Sequence, residues 1–314
     1  YSGGATCPSL LLEPSRTNQC TQSEYIGSID WNQAGITRSL VITQTSETNP
    51  EGASICWKIQ GTASDNQLAN NSSTNSGTTI TNSIYVKRVS GTGNVFLRDV
   101  NNTHTSFSLS VADGWKRIDV TGTATSATAR FYLNLQVSTD EILVWGAQQE
   151  IGTYKTSYIP TYGVSQTRAF DVCGGAGDTA TFNDSEGVLY VEFNPFFPAG
   201  SRQITISDGT YDNRIIIEVR ENATKIKGLI SASGLNSFDV TKNISVVDAY
   251  YKVALKYSAT DCSLFVNGEK VSSLTGTIVM PTGLEFLSFS GRNDTSLLFT
   301  SKTKQVLTFP TALS

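Results

Sequence analysis

The segment Asp208-Gly209-Thr210-Tyr211-Asp212-Asn213-Arg214 gathers an aromatic ring, two carboxylates, an amide and a guanidinium in one short stretch. Sugar-binding sites use that mixture. An aromatic face covers the C–H face of a pyranose, and planar polar side chains hold its hydroxyls. Tyr211, Asp212, Asn213 and Arg214 are therefore candidate carbohydrate contacts, with an ordinary hairpin turn as the alternative. Trp31 and Trp57 lie in polar surroundings and are candidates for the same role, with core packing as the other reading. The carboxylates of the 208–214 loop invite the question of Ca2+, a hard cation that wants about six or more oxygens. Too few stand in one loop, so no metal or other cofactor is expected.

Catalysis finds less support. Glycoside hydrolysis needs two carboxylates roughly 5 to 9.5 Å apart, and two that share a strand face must stand two residues apart. At that spacing Glu192 is followed by Asn194 and Glu218 by Arg220, while Glu218 and Glu221 would point to opposite faces. A Ser-His-Asp arrangement would have to use His104, the only histidine, which sits in the polar turn 101–105 without a nucleophile elbow nearby. The glycines of Cys173-Gly174-Gly175-Ala176-Gly177-Asp178 lack the following Lys-Ser or Lys-Thr of a phosphate loop and are expected to form a hinge. No enzymatic activity is expected. With 16% charged residues and a net charge of -4, a nucleic-acid surface is not expected either. No apolar window is long enough to insert in a membrane. The five cysteines form no CxxC. They read as small buried thiols of a chain assembled under reducing conditions, with a Cys7–Cys20 disulfide as the alternative. Sequons such as Asn222-Ala223-Thr224 and Asn243-Ile244-Ser245 are expected by chance in so Asn- and Thr-rich a chain.

These residues have to be carried by strands. Ser, Thr and Asn are abundant, Gly occurs 26 times and Met once, a composition that disfavours helix interiors and suits strands and turns. Short alternating runs recur, among them 83–87, 94–98, 117–120, 130–135, 189–193, 214–219 and 252–257. Asn267-Gly268 between Leu264-Phe265-Val266 and Glu269-Lys270-Val271 predicts a type I′ hairpin. The 68–79 stretch, dominated by Asn, Ser and Thr, reads as an exposed loop. A length of 314 residues suggests two units. Pro160, Gly163 and the glycines after Cys173 mark the break. The expected organisation is residues 1–170, a Gly-rich linker at 171–180, and a second unit at 181–314. The fold class is all-β: two tandem antiparallel β-sandwiches.

Several phrases resemble a module of bacteriophage virion proteins, found in tail fibres, spikes and head fibres. They are Pro8-Ser9-Leu10-Leu11-Leu12-Glu13-Pro14-Ser15-Arg16-Thr17-Asn18, an early Trp31, Pro50-Glu51-Gly52, Ile84-Tyr85-Val86-Lys87 and Gly114-Trp115-Lys116-Arg117-Ile118. The closing phrases are Val144-Trp145-Gly146-Ala147-Gln148-Gln149-Glu150, Tyr154-Lys155-Thr156-Ser157-Tyr158-Ile159-Pro160-Thr161 and Thr167-Arg168-Ala169. The resemblance implies a carbohydrate-binding-like jelly roll with Trp115 and Trp145 in its core. From Phe182 onward, Glu186-Gly187-Val188-Leu189-Tyr190-Val191-Glu192-Phe193, Leu264-Phe265-Val266-Asn267-Gly268 and the run from Lys304 to Ser314 resemble a laminin-G-like, concanavalin-A-type sandwich. Such domains usually continue past a phrase like Ala312-Leu313-Ser314, so further C-terminal residues are expected; a start at Tyr1 reads either as a processed N-terminus or as part of a longer polypeptide. The resemblance implies a structural virion protein of a fibre or spike, assembled in the host bacterial cytoplasm and displayed on the virion surface. It would be a homotrimer or other homo-oligomer that contacts other virion proteins and bacterial surface glycans, without membrane insertion. A non-binding collar or spacer, a polysaccharide depolymerase and a secreted bacterial adhesin are the alternatives.

Overall fold

A computed structural model describes residues 9–31, 39–63, 66–195, 200–221, 223–245 and 249–313. Pro8, Cys7, Asn222 and Ser314 lie outside the described residues, and with them the Cys7–Cys20 and Asn222 readings. The described chain is all-β, with one 3-10 turn at Val111–Asp113 and no α-helix. In chain order the strands are β1 (Leu10–Leu11), β2 (Arg16–Asn18), β3 (Leu40–Thr45), β4 (Cys56–Gly61), β5 (Leu68–Ser73), β6 (Thr79–Ser90), β7 (Val95–Arg98), β8 (His104–Phe107), β9 (Lys116–Thr123), β10 (Thr128–Leu135), β11 (Glu141–Ile151) and β12 (Gln166–Arg168). They continue as β13 (Glu186–Asn194), β14 (Arg202–Ser207), β15 (Arg214–Arg220), β16 (Lys225–Ala232), β17 (Leu235–Asn243), β18 (Tyr251–Ser258), β19 (Asp261–Val266), β20 (Glu269–Thr275), β21 (Phe286–Ser288) and β22 (Lys302–Phe309).

The chain divides into two units. One is Ser15–Ala169; the other takes the segment ending at Pro14 and everything from Phe170 on. The first is thus inserted, in sequence, into the second. Within the inserted unit strands β3 to β11 are divided between two sheets, β3-β4-β11-β6-β9 and β5-β10-β7-β8, and β2 pairs with β12. Leaving out the edge strand β3, that order is the jelly roll. Every second residue turns inward: Ile84 and Val86 on β6, Val95 and Leu97 on β7, Phe131, Leu133 and Leu135 on β10, Ile142 and Val144 on β11. This period of two is what lets alternating sequences bury one face of each sheet.

The 68–79 stretch departs from its reading as an exposed loop. Its first half is β5, with Leu68, Ala69 and Asn70 buried against β10. The polar residues that suggested a loop are accommodated by pairing: Asn70 Nδ2 donates to the Asp30 carbonyl at 3.3 Å, and Ser72 Oγ donates to Gln19 Oε1 at 3.1 Å.

In the other unit the sheets are β1-β22-β13-β18-β19-β20 and β17-β16-β15-β14-β21. Leu189, Val191 and Phe193 of β13 and Val253, Leu255 and Tyr257 of β18 meet Ile215, Ile217 and Val219 of β15 in one core. Asn267 and Gly268 take φ of 53° and 83° at the β19–β20 turn, as the Asn-Gly pair predicts. Leu10 and Leu11 pair with Thr303 and Lys302 of β22, and Leu12 is buried in this core, although the phrase it belongs to runs on into the inserted unit. The glycines after Cys173, read as a hinge, run along β21 instead. Ala176 and Leu287 exchange backbone hydrogen bonds, and the Phe289 amide donates to the Cys173 carbonyl at 2.8 Å.

The phrase Gly146-Ala147-Gln148-Gln149-Glu150 forms a buried polar clasp. A bulge in β11 between Trp145 and Gln148, where Gly146 takes a φ of 63°, re-aims the strand. Beyond it Glu150, fully buried, accepts from the Thr156 amide (2.8 Å), the Thr156 hydroxyl (2.7 Å) and the Gln148 side-chain amide (2.8 Å). Gln148 Oε1 accepts from the Ile159 amide at 2.8 Å. Asn18 donates to the carbonyls of Ala147 (3.0 Å) and Ile159 (2.8 Å), and its Oδ1 accepts from the Gln149 amide at 3.1 Å. The residues that enter and leave the unit are thereby tied to its central strand.

A second buried device is the Arg88–Asp140 pair at 2.6 Å, in which Arg88 also donates to the carbonyls of Leu109, Ser90 and Gly93. Removing one partner of such an arrangement strands the others without water. Glu150→Ala is expected to destabilise the inserted unit by about 3 kcal/mol, with Glu150→Gln costing less. All four tryptophans lie in Ser15–Ala169, so urea unfolding followed by tryptophan fluorescence reads that unit alone; an unmoved midpoint would contradict the assignment.

Candidate functional site

Tyr211 sits at the tip of the loop between β14 and β15 and is 39% exposed. Its ring does not stand open to a sugar. The guanidiniums of Arg214 and Arg292 lie over it, with their central carbons 4.7 and 4.5 Å from the ring centroid. Its hydroxyl meets the Ser296 hydroxyl. The expectation of a free stacking face is thus corrected: the tyrosine is a platform for two arginines. The 290–297 loop brings the second of them, laid against β14 by the Gln203 amide on the Leu297 carbonyl (3.0 Å) and by Thr205 Oγ1 on the Ser290 carbonyl (3.0 Å).

The other candidates separate into roles. Asn213 is spent on holding the loop: its side-chain amide donates to Asp208 at 2.8 Å, and its Oδ1 accepts from the Ser233 amide of the β16–β17 turn at 3.1 Å. Asp212 gives its carbonyl to the Gly234 amide and the Ser231 hydroxyl, and its carboxylate stays exposed beside Arg214. Arg214 donates through Nε to the Tyr211 carbonyl (3.1 Å) and through Nη1 to Gln203 (3.2 Å) and the Gly291 carbonyl (2.7 Å). Arg292 is held through Nε alone, by Asp294 at 2.6 Å. Among the described residues, Nη2 of Arg214 and both Nη atoms of Arg292 therefore have no hydrogen-bond partner. The cluster is a rigid display of guanidinium donors.

Burial is the main influence on the Arg214 guanidinium and draws its pKa below the ordinary value. The hydrogen bond from Arg292 to Asp294 raises that of Arg292. Burial alone would raise the Asp208 and Asp294 carboxyls. Hydrogen bonds outweigh it, from Thr210 and Asn213 to Asp208 and from Arg292 and Ser296 to Asp294, and hold both below the usual carboxylate range.

Trp31 and Trp57 are not ligand contacts. Trp31 is fully buried, packed edge-on against Phe131 at 5.4 Å, with Nε1 donating to the Gln22 carbonyl at 2.7 Å. Trp57 is 6% exposed and donates through Nε1 to the Glu24 carbonyl at 2.7 Å. The partner that each buried indole N–H requires is a backbone carbonyl from elsewhere in the chain, nine residues before Trp31 and 33 before Trp57. Trp145 is buried as expected, and Trp115 half-buried. His104 is exposed at the start of β8 against Phe96. Burial raises the thiol pKa values of Cys20, Cys56, Cys173 and Cys262, which are free. Among the described residues no cluster of three or more His, Cys, Asp or Glu could hold a metal ion. Arg292, Asp294 and Ser296 are the site residues that sequence reasoning missed. Their loop, Gly291-Arg292-Asn293-Asp294-Thr295-Ser296, shares the guanidinium, amide and carboxylate of the 208–214 loop but carries no aromatic residue.

No family model matches the chain, and no curated protein matches it. Among solved structures it is similar to the CBM40 of the Ruminococcus gnavus IT-sialidase, at 16% identity and a TM-score of 0.37, over 46% of this chain and 90% of that one. The CBM22-1 xylan-binding domain of Paenibacillus barcinonensis Xyn10C matches at 15% identity and 0.30, over 47% and 97%. Mouse laminin alpha1 domains LG4-5 match at 8% and 0.33, over 100% and 96%.

A carboxyl whose pKa folding lowers adds stability above its unfolded value, about 3.9 for Asp, and that stability is lost as pH falls through the folded value. Asp294→Asn is therefore expected to cost roughly 1 kcal/mol or less at pH 7, and that deficit is expected to shrink as the pH is lowered from 7 through the carboxyl's depressed folded value. Differential scanning calorimetry of parent and variant across that range checks the convergence; a deficit that persists in acid would contradict it.

Proposed function

We propose that the chain is a structural virion protein of a bacteriophage fibre or spike that adheres to acidic glycans on the host surface through Arg214 and Arg292. The binding half of this reading rests on one observation: three guanidinium Nη atoms, fixed around Tyr211, have no hydrogen-bond partner among the described residues. Guanidinium N–H groups suit the paired oxygens of a carboxylate or sulfate. The rest of the sugar would meet the exposed hydroxyl and amide groups of the 208–214 and 290–297 loops. The virion half is supported by the resemblance of the phrases from Pro8 to Ala169 to fibre and spike modules. Weak single sites serve such a particle well, because several copies engage one cell together. A low-charge, hydroxyl- and amide-rich surface also avoids salt-sensitive contacts with unrelated polyanions.

Arg292→Ala and Arg214→Ala are each expected to weaken binding of glucuronate- and neuraminate-bearing glycans at least tenfold, roughly 1.4 kcal/mol. A glycan array probed with the multimerised chain tests this against the matching neutral glycans. Equal binding of acidic and neutral glycans, or none of the acidic ones, would sink the reading.

A further inference from the structure

The inserted unit carries a second cluster, which the arginine site leaves unexplained. Its centre is Glu24, in the segment between β2 and β3. The backbone there is fixed from two sides: Trp57 Nε1 donates to the Glu24 carbonyl at 2.7 Å, and Ser23 and Thr161 exchange hydrogen bonds of 2.9 and 2.8 Å. The Gly163 amide adds a bond of 2.6 Å to the Thr21 carbonyl. Gly27 permits close passage, since a Cβ there would stand 2.5 Å from the Trp57 ring. On this frame Glu24 Oε1 accepts from the hydroxyls of Tyr158 and Tyr162, both at 3.3 Å. Among the described residues Oε2 has no partner.

The surroundings of that open oxygen are aromatic and wet. Tyr162 is 71% exposed. Tyr25, the next residue in the chain, is 53% exposed, with its ring braced on Trp57 at 5.2 Å. Burial raises the Glu24 carboxyl above its ordinary value, and the nearby Glu51 charge adds to the effect. An isolated exposed tyrosine is an ordinary surface feature. Here the phenol is tethered to an oriented carboxylate that is short of donors.

We infer that Glu24 and Tyr162 form a separate binding site for an uncharged saccharide. A carboxylate oxygen accepts from vicinal hydroxyls, and the exposed phenol ring covers the C–H face of the pyranose beside them. The Glu24 and Glu51 charges repel carboxylated or sulfated sugars. The site thus selects against the ligands that Arg214 and Arg292 attract. It lies in the other unit and stands whether or not the arginine site binds.

The test is saturation-transfer NMR on the full chain with the methyl glycosides of glucose, galactose, mannose and N-acetylglucosamine. At least one of them is expected to receive saturation from the parent protein and to lose at least tenfold in affinity in both Glu24→Gln and Tyr162→Ala. Gln keeps an acceptor for the two tyrosines, and Tyr162 is exposed, so both variants are expected to keep the parent's tryptophan emission. Glucuronate is followed on the same samples and is expected to bind all three proteins alike, which separates failure of this site from failure of the arginine pair. Four silent neutral glycosides, or a signal indifferent to both substitutions, would overturn the inference.

Discussion

Everything in the inserted unit hangs on the burial of a carboxylate and three amides at one end of its central strand. Glu150, Gln148, Gln149 and Asn18 have almost no access to water, so each must find its partners inside the protein or cost the fold several kcal/mol. Glu150, Gln148 and Asn18 find them in and between the segments that enter and leave the unit, while the Gln149 side chain reaches Ser72, Asn82 and Arg130 on the strands between. Those segments carry Glu24, Tyr158 and Tyr162, so the requirement that closes the jelly roll also sets the loops on which a ligand would land. The same economy operates in the other unit, where Glu13 and Asp171, which flank the insertion, exchange hydrogen bonds of 2.8 and 3.0 Å. A chain interrupted by a whole sandwich stays continuous in its packing because the residues at the interruption are bonded to each other.

The two clusters differ in chemistry more than in construction. In each, a tyrosine hydroxyl finds a neighbouring loop, and a charged group keeps hydrogen-bonding capacity to spare. Around Tyr211 that capacity is donor capacity on arginine; beside Tyr162 it is an acceptor on Glu24. With a net charge of only -4 over 314 residues, such local arrangements decide which anions or hydroxyls a surface favours.

Much of the fold was legible because a period of two is written directly into the strands. The runs at 83–87, 130–135, 189–193 and 214–219 all fall inside strands, and the Asn267-Gly268 turn follows from backbone geometry alone. Legibility failed where a residue's fate depended on distant partners. Trp31 and Trp57 sit among polar neighbours in sequence, yet their indoles donate to carbonyls nine and 33 residues earlier and their rings lie in the core. The strand β5 looks like a loop until β10, about sixty residues later, pairs with it. Tyr211 was legible as a candidate residue, but Arg292 reaches it from a loop some eighty residues away. No local pattern marks the two as neighbours, and the guanidiniums that cover the ring reverse the role its exposure suggested.

The most direct measurement is an NMR titration of the isotopically labelled full chain with glucuronate, observed at the arginine Nε–Hε signals. Binding by the arginine pair predicts saturable shifts confined to Arg214 and Arg292 and to amides of the 208–214 and 290–297 loops. Saturable shifts elsewhere with these signals unmoved, or no saturable shift at all, would contradict it.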